Sequence, residues 1–365
     1  MNGLMEAVLN NFQKIKDIKV TSRTTIEKYR GVAKTIPELS KELNVNYFIE
    51  GSGQKIGNQI LLTIQLIEAP TDRHIWSKRY QRQLDDIFQL QAEVSKNIAE
   101  EIDAIITPAE YQRIEKAPTN NLVAYDYYLK GKQYLDEPDG EGLLKSIEYF
   151  KKAIAEDGSF AHAYGYMSMA YYYLDIFQSE KKHTAQLKNY AEKAMYLNPE
   201  LGESLIAKAL YSMHLEEYET AIEAFEKVLD YYPNAGWVHN FLSNIYTNYI
   251  PNTEKYLAHA MRGIQYNIAS QDSIITSYSY LHLGNALAQS GFIKEAEDYN
   301  RKSLAYNPDN LFAEYLSVYI NYAKDFDIAR AKTNLIKCLQ KDTTRIDIIQ
   351  ELAKVCYTME NYEEA

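Results

Sequence analysis

The chain has 365 residues, 46% apolar and 24% charged, enough material for more than one domain and enough apolar content to exclude wholesale disorder. Fifty acidic against 39 basic residues give a net charge of −11, a poor match for nucleic-acid backbones, which need clustered cations. Two cysteines, Cys338 and Cys356, cannot form a disulfide framework or a four-thiolate zinc site, and the longest apolar run, ILLTIQLI at 60–67, is too short to span a membrane; the first residues carry no secretory-signal pattern.

Charge and tyrosine divide the chain. Residues 1–116 hold 16 residues of each sign, so the whole acidic excess lies beyond them. Only Tyr29, Tyr47, Tyr80 and Tyr111 of the 33 tyrosines fall in that part. Two structural units are expected, joined at the polar stretch KAPTNN, 116–121, where Pro118 stops a helix.

In chain order, 4–15 has a helical apolar stripe, and IKVTS at 18–22 alternates as a short strand. Residues 37–44 begin with Pro37 and have helical spacing. Strands are expected at 45–53, 58–69 and 74–80, with Gly57-Asn58 as turn residues between the first two. A long amphipathic helix covers 84–106 and ends before Pro108.

The segments DIKVTSRTT, ELNVNYFIEGSGQKIGNQILLTIQLIEAPTDRHIWSKRYQRQLDDIFQLQAEVSKNIAEEI and ITPAE resemble the TolB-like (FlgO-like) amino-terminal domain over about 110 residues. The resemblance implies a small α/β domain, 1–116, with a two- or three-layer mixed sheet. In that family an apolar strand precedes the segment that NGLMEAVLNNFQ resembles. Its absence here leaves an open sheet edge, and the expectation is that the natural polypeptide extends upstream. In bacteria this domain commonly precedes tetratricopeptide repeats in class III adenylate cyclases, membrane-linked transcription regulators and some kinases.

The second part repeats. Pro199 and Pro233 are 34 residues apart, and 202–235 and 278–308 each fit a helix pair with a small residue at the crossing and proline after the second helix. In the latter, Ala296 and Asn300 occupy the Ala-x-x-x-Phe places. Weaker copies lie at 131–158, 163–199, 237–267 and 311–342, and a seventh begins at Ile346. The expected fold of 121–365 is therefore an all-α, right-handed tetratricopeptide solenoid of about six and a half repeats. Such an array needs a neighbour or polar cap at each end, so an incomplete chain is expected there too. Most of the tyrosines are expected in packing between helices, with the hydroxyl at the wet edge.

No catalytic constellation emerges. The seven histidines lack the His-x-x-x-His spacing with glutamate that a helical zinc site needs, and read as packing or surface residues. The two cysteines read as buried free thiols. GSGQKIG at 51–57 lacks the Gly-Lys-Ser/Thr ending of a phosphate loop and reads as a hairpin turn. Neither enzyme activity, metal nor cofactor is expected.

The groove is the candidate site. Helix register projects His162, Met169, Tyr172 and Tyr173 inward from the second repeat, and Glu203, Met213 and His214 from the third. Trp237, Asn240, Asn244 and Asn248 follow from the fourth, and Tyr278, Leu281, Asn285 and Gln289 from the fifth. The sixth supplies Phe312, Tyr315, Tyr319 and Tyr322, while Lys132 is the one cation projected from the first. The proposed peptide site is Tyr172, Tyr173, Trp237, Asn240, Asn244, Asn248, Tyr278, Asn285, Tyr315 and Tyr319. Asparagine amides can donate to and accept from a peptide backbone, so a neutral or basic extended partner is expected, with no direct nucleic-acid contact. The function expected is a sensor or protein-interaction module of a bacterial signalling or transcription-regulatory protein. The alternatives are a stand-alone envelope scaffold or the regulatory half of an adenylate cyclase. The resemblance implies an effector upstream and a periplasmic location, with the cytoplasm as alternative.

Overall fold

The computed structural model describes residues 2–21, 29, 32–135, 140–176, 181–267, 273–343 and 345–360. Packing divides the chain into two compact units, Met1–Ala235 and Gly236–Ala365. The compositional join at 116–121 falls inside the first.

The first unit opens with helix α1, Asn2–Gln13, followed by α2, Ile36–Leu43. Thr35 and Glu38 make a reciprocal capping box at the start of α2, Pro37 sits in its first turn, and Asn44 closes it in the left-handed region. Residues 18–21 are irregular, so the strand expected at 18–22 does not form there; Ser22 lies outside the described residues. Val20 instead packs on the edge of the core. Strands β1 (Tyr47–Ile56), β2 (Gln59–Glu68) and β3 (Arg73–Gln83) form an antiparallel meander. This corrects the mixed sheet of the sequence reading: among the described residues each strand joins the next by a short turn, whereas a parallel neighbour needs a crossover. Residues 54–56, read as part of the break, continue β1, and Gly57 turns the chain at φ 59°.

Ile60, Leu62, Ile64 and Leu66 of β2 alternate onto one sheet face. Val8 and Phe12 of α1 and Leu90, Val94 and Ile98 of α3 (Ile87–Glu101) complete this core. The α3 helix is shorter than expected. A 3₁₀ turn occupies Leu84–Asp86, and the helix ends at Glu101, where Asp103 takes φ 55° and the Ala104 amide returns to the Ala99 carbonyl. Pro108 does not stop that helix; it starts α4 (Pro108–Glu115) inside a Thr107–Glu110 capping box.

Paired helices follow. The first unit continues with α5 (Leu122–Leu135), α6 (Gly140–Glu156), α7 (Ala161–Ile176), α8 (Thr184–Leu197), α9 (Gly202–His214) and α10 (Tyr218–Tyr231). Asn121, in the join, accepts from the amides of Val123 and Ala124 and so caps α5. Each odd-numbered helix packs on the next, and α7 also packs on α9. This is the arrangement of a tetratricopeptide-type array. Tyrosines bridge within pairs: Tyr134 stacks on Tyr149 and Tyr171 on Tyr190, each at 5.6 Å.

The second unit holds α11 (Gly236–Asn248), α12 (Thr253–Asn267), α13 (Ser273–Gln289), α14 (Ile293–Tyr306), α15 (Leu311–Asp325), α16 (Ile328–Lys341) and α17 (Ile346–Thr358). Asn300, at the place where the repeat pattern has an aromatic, is buried. Its amide donates to the Ala313 carbonyl (2.9 Å) and to Ser317 Oγ (2.7 Å), tying α14 to α15. Cys338 on α16 and Cys356 on α17 are buried thiols.

Close helix crossings depend on missing side chains. A Cβ on Gly165 of α7 would lie 2.7 Å from the Glu203 carbonyl oxygen, a backbone atom of α9 that cannot swing aside. Overpacking of this kind costs about 1–3 kcal/mol, against about 1 kcal/mol gained in helix propensity. Gly165→Ala is therefore expected to destabilise the chain by about 1 kcal/mol. Gly158→Ala, which meets nothing within 4 Å, should stay within about 0.5 kcal/mol of the parent. Urea midpoints read by circular dichroism separate the two.

Candidate functional site

Within each unit the first helices of the repeats supply a row of side chains. In the first unit that row contains Lys132 of α5, His162 of α7 and Glu203 of α9. Lys132 faces the α/β domain, and His162 and Glu203 lie within electrostatic reach of its Lys14. Lys132 Nζ reaches Asn10 Oδ1 at 3.3 Å and Glu6 at 3.8 Å, both on α1. Lys14, in the turn that ends α1, donates to Asn11 Oδ1 (3.1 Å) and to the Arg113 carbonyl (3.3 Å). Burial lowers its ammonium to about 8, with Glu203 opposing the shift.

Glu203 is 4% exposed, and its Oε1 accepts from the Tyr232 hydroxyl at 2.8 Å. Burial pulls this carboxyl upward, but His162, Tyr232 and Lys14 outweigh it and hold the pKa below its ordinary value. Its Oε2 and the Nδ1 of His162 are buried with no hydrogen-bond partner. Burial lowers the His162 pKa, against the pull of Glu203. Around this centre the domains are also tied by backbone. Asn234 Nδ2 lies 2.8–3.3 Å from the carbonyls of Ile15, Lys16 and Ile18. Arg113 donates to the Asp230 carbonyl (2.6 Å) and lies over the Tyr231 ring. Phe88 of α3 meets Tyr125 of α5 edge-on at 4.8 Å.

The second unit presents a different row. The thirteen residues of α11 and the seventeen of α13 include no Asp, Glu, Lys or Arg. On α11, Trp237, Asn240, Asn244 and Asn248 follow one helix face. Trp237 is half-buried and edge-on to Phe241. Asn240 exchanges hydrogen bonds with Ser279 of α13 at 3.3–3.4 Å, so this amide links two helices. Asn248 Nδ2 donates to Asn244 Oδ1 at 2.9 Å on the exposed side. On α13 the outward residues are Tyr278, His282, Asn285 and Gln289, and Gln289 donates to Thr247 Oγ1 at 3.2 Å. Leu281 is buried in the core cluster of this repeat, not in the row; the register there is one residue off, and His282 takes its place. The Tyr256 hydroxyl is buried without a hydrogen-bond partner, and burial raises its pKa.

The row continues as a pure aromatic stripe on α15. Phe312, Tyr315, Tyr319, Tyr322 and Phe326 are spaced alternately three and four residues apart, and Phe312, Tyr319 and Tyr322 are exposed. Tyr278 meets Phe312 at 6.2 Å, and Arg345 lies 4.1 Å over the Phe312 ring. Tyr315 is half-buried, and burial pushes its pKa to about 12. In the first unit, Tyr172 and Met169 are buried. Tyr173 is edge-on to Tyr172, and burial raises its pKa to about 12. Of the proposed site residues, the structure thus brings Trp237, Asn240, Asn244, Asn248, Tyr278, Asn285, Tyr315 and Tyr319 together in the second unit.

Three histidine contacts escaped sequence reasoning, because their partners lie eight to thirty residues away. His239 of α11 and His259 of α12 place their Nδ1 atoms 2.9 Å apart, buried between the stacked rings of Tyr266 and Tyr246. Burial lowers the His239 pKa to about 3, helped by His259 and Arg262. Burial with Arg262 and Lys255 lowers that of His259 to about 4. His183 Nδ1 lies 2.7 Å from Asp175 Oδ1, whose carboxylate also takes the amides of Lys182 and His183. Thr184 Oγ1 meets His214 Nε2 at 2.6 Å. Among the described residues no three His, Cys, Asp or Glu side chains are grouped as metal ligands.

A family model described as the second domain of HilA/YgeH-like transcriptional regulators matches residues 1–98. A putative adenylate cyclase 3 of Rhizobium meliloti (strain 1021) is 27% identical over 168 residues, 46% of this chain. The chain spans 29% of that relative's length. Among solved structures, PilW, a type IV pilus biogenesis factor, is similar at 16% identity with a TM-score of 0.43, over 54% of this chain and 88% of its own. YrrB, described as a tetratricopeptide protein with an unusual peptide-binding site, is similar at 19% identity and 0.41, over 56% and 98%.

The His239–His259 bond needs one Nδ1–H and one bare Nδ1, so the two rings cannot both be protonated, and burial favours the neutral pair when folded. Both folded pKa values lie below the ordinary 6.5. As pH falls through 6.5 the unfolded chain takes up protons first, so stability present above 6.5 drains away toward pH 4. In a Trp76→Phe background, Trp237 fluorescence should show the urea midpoint of the second unit falling between pH 7 and pH 5. His259→Gln should flatten that fall, and an equal fall in both would assign it to other groups.

Proposed function

We propose that this chain is a non-catalytic partner-binding module of a bacterial regulatory protein, and that the first-helix row of the second unit holds an extended, neutral or basic polypeptide segment. The observation that carries this reading is the absence of charged residues from α11 and α13, beside an exposed aromatic stripe on α15. Aromatic faces supply contact area at little entropic cost, and Asn244, Asn248 and Gln289 can pair with a peptide backbone irrespective of its sequence. The α11–α13 part of the face has no fixed charge and repels neither sign, and the overall charge of −11 disfavours acidic ligands.

We read residues 1–116 as a TolB-like domain in regulatory use. The match to the second domain of a transcriptional regulator favours that context, and the match to a putative adenylate cyclase favours the alternative in which the module regulates a cyclase. In either case the effector belongs to another part of the polypeptide. Among the described residues no helix is long and apolar enough to cross a membrane. A periplasmic position remains our reading, with an envelope scaffold as the further alternative.

Binding of a library of uncharged extended peptides, followed by fluorescence polarisation, tests the site. Tyr319→Ala/Tyr322→Ala should weaken the best binder about tenfold or more, as exposed aromatic anchors do. Asn244→Ala/Asn248→Ala should weaken it several-fold, and raising salt from roughly 0.1 to 0.5 M should change little. Unchanged affinity in both variants removes this face from the binding site.

A further inference from the structure

The α1 helix has two unlike sides. Val8 and Phe12, with Met5, enter the sheet core. Glu6 and Asn10 meet Lys132 of the repeats, and Lys14, next at four-residue spacing, lies within electrostatic reach of Glu203. The apolar side holds α1 to the sheet, whereas the side facing the repeats is polar. Contacts of that polar kind between domains within a chain behave as transient interfaces. This one is also imperfect. Glu203 Oε2 and His162 Nδ1, close to it, are buried without hydrogen-bond partners, and an unpartnered buried polar group is costly to keep. Undocking leaves the sheet core closed, because α1 enters that core with its other side.

The residues covered are informative in themselves. Lys132, His162 and Glu203 belong to the row that an open array offers to a ligand. We propose that the α/β domain is a displaceable plug. In this reading Lys132, His162 and Glu203 form a receptor for a helix carrying carboxylate, amide and ammonium groups at four-residue spacing. Glu6, Asn10 and Lys14 fill it in cis, and a partner helix of the same polar pattern takes it when the plug leaves. This second site is independent of the neutral row in the other unit. It is charged where that row is not, so binding here is salt-sensitive.

Acylation of the full chain with an acetyl succinimidyl ester, read by mass spectrometry beside hydrogen exchange of β2 amides, tests the plug without any mutation. Lys14 and Lys132 should react through an opening at least about tenfold more populated than the one that exposes β2. Glu6→Lys should speed Lys132 acylation about tenfold, and in Glu6→Lys/Lys132→Glu the Lys14 rate should return toward that of the parent. A labelled peptide of residues 2–16, carrying Val8→Gln and Phe12→Gln to solubilise its sheet-facing side, should bind the Glu6→Lys chain more tightly than the parent, and less well at high salt. Acylation no faster than β2 exchange overturns the plug. Failure of the peptide to bind the Glu6→Lys chain overturns the receptor.

Discussion

A helix pair cannot bury its apolar sides alone, and in the first unit each pair leans on a neighbour. Between pairs this takes crossings as tight as Gly165 against Glu203. At α5 the neighbour is not a helix pair. Phe88 of the α/β domain packs on Tyr125, and α1 supplies the polar partners of Lys132. The α/β domain thus stands where a preceding repeat or a capping helix would otherwise be required. This is why packing unites it with the first three repeats, although composition separates it from them.

The same face of the repeat serves opposite chemistry in the two units. In the first, the row carries Lys132 and Glu203, and burial beside Lys14 makes their charges interdependent. Removing one partner would leave another ion in low dielectric. In the second, the row is amide, hydroxyl and ring, with Asn240 and Gln289 bridging α11 and α13. Neutral amides already bonded to neighbouring helices hold their rotamers, so the ordering cost of a contact is partly met before a ligand arrives.

The helices and hairpins were legible because their signals are local: alternation in β2, Gly57-Asn58 between β1 and β2, and the 34-residue spacing of prolines. The errors also have local causes. Pro108 reads equally as a stop or as a first-turn residue, and the Thr107–Glu110 capping box decides. Residues 18–21 alternate like a strand, yet backbone pairing needs a neighbour that no residue pattern can specify. At the candidate site, helix register put Asn240, Asn244 and Asn248 on one side of α11, but it also assigned the core residue Leu281 to the row. It could not show that Lys132 is paired, because its partners Glu6 and Asn10 lie more than one hundred positions earlier. Nor could it pair His239 with His259, whose contact depends on how α11 and α12 are rotated.

The tyrosines connect packing to recognition. A phenylalanine-rich array of this size would bury its rings fully or expose a sticky apolar surface. Tyrosine lets one ring serve both places. Tyr280 stacks on Tyr299 and Tyr306 inside a repeat while Tyr319 and Tyr322 stand in the open row. The hydroxyl keeps the exposed stripe wetted, and the ring face remains available for stacking. That makes an aromatic row compatible with a chain that carries its excess charge elsewhere. It also fits the absence of acidic residues from α11 and α13, beside three on the second helix α14. Charge on α11 or α13 would have to be desolvated by every neutral ligand that bound, whereas on the outer helices it is hydrated and keeps the array soluble.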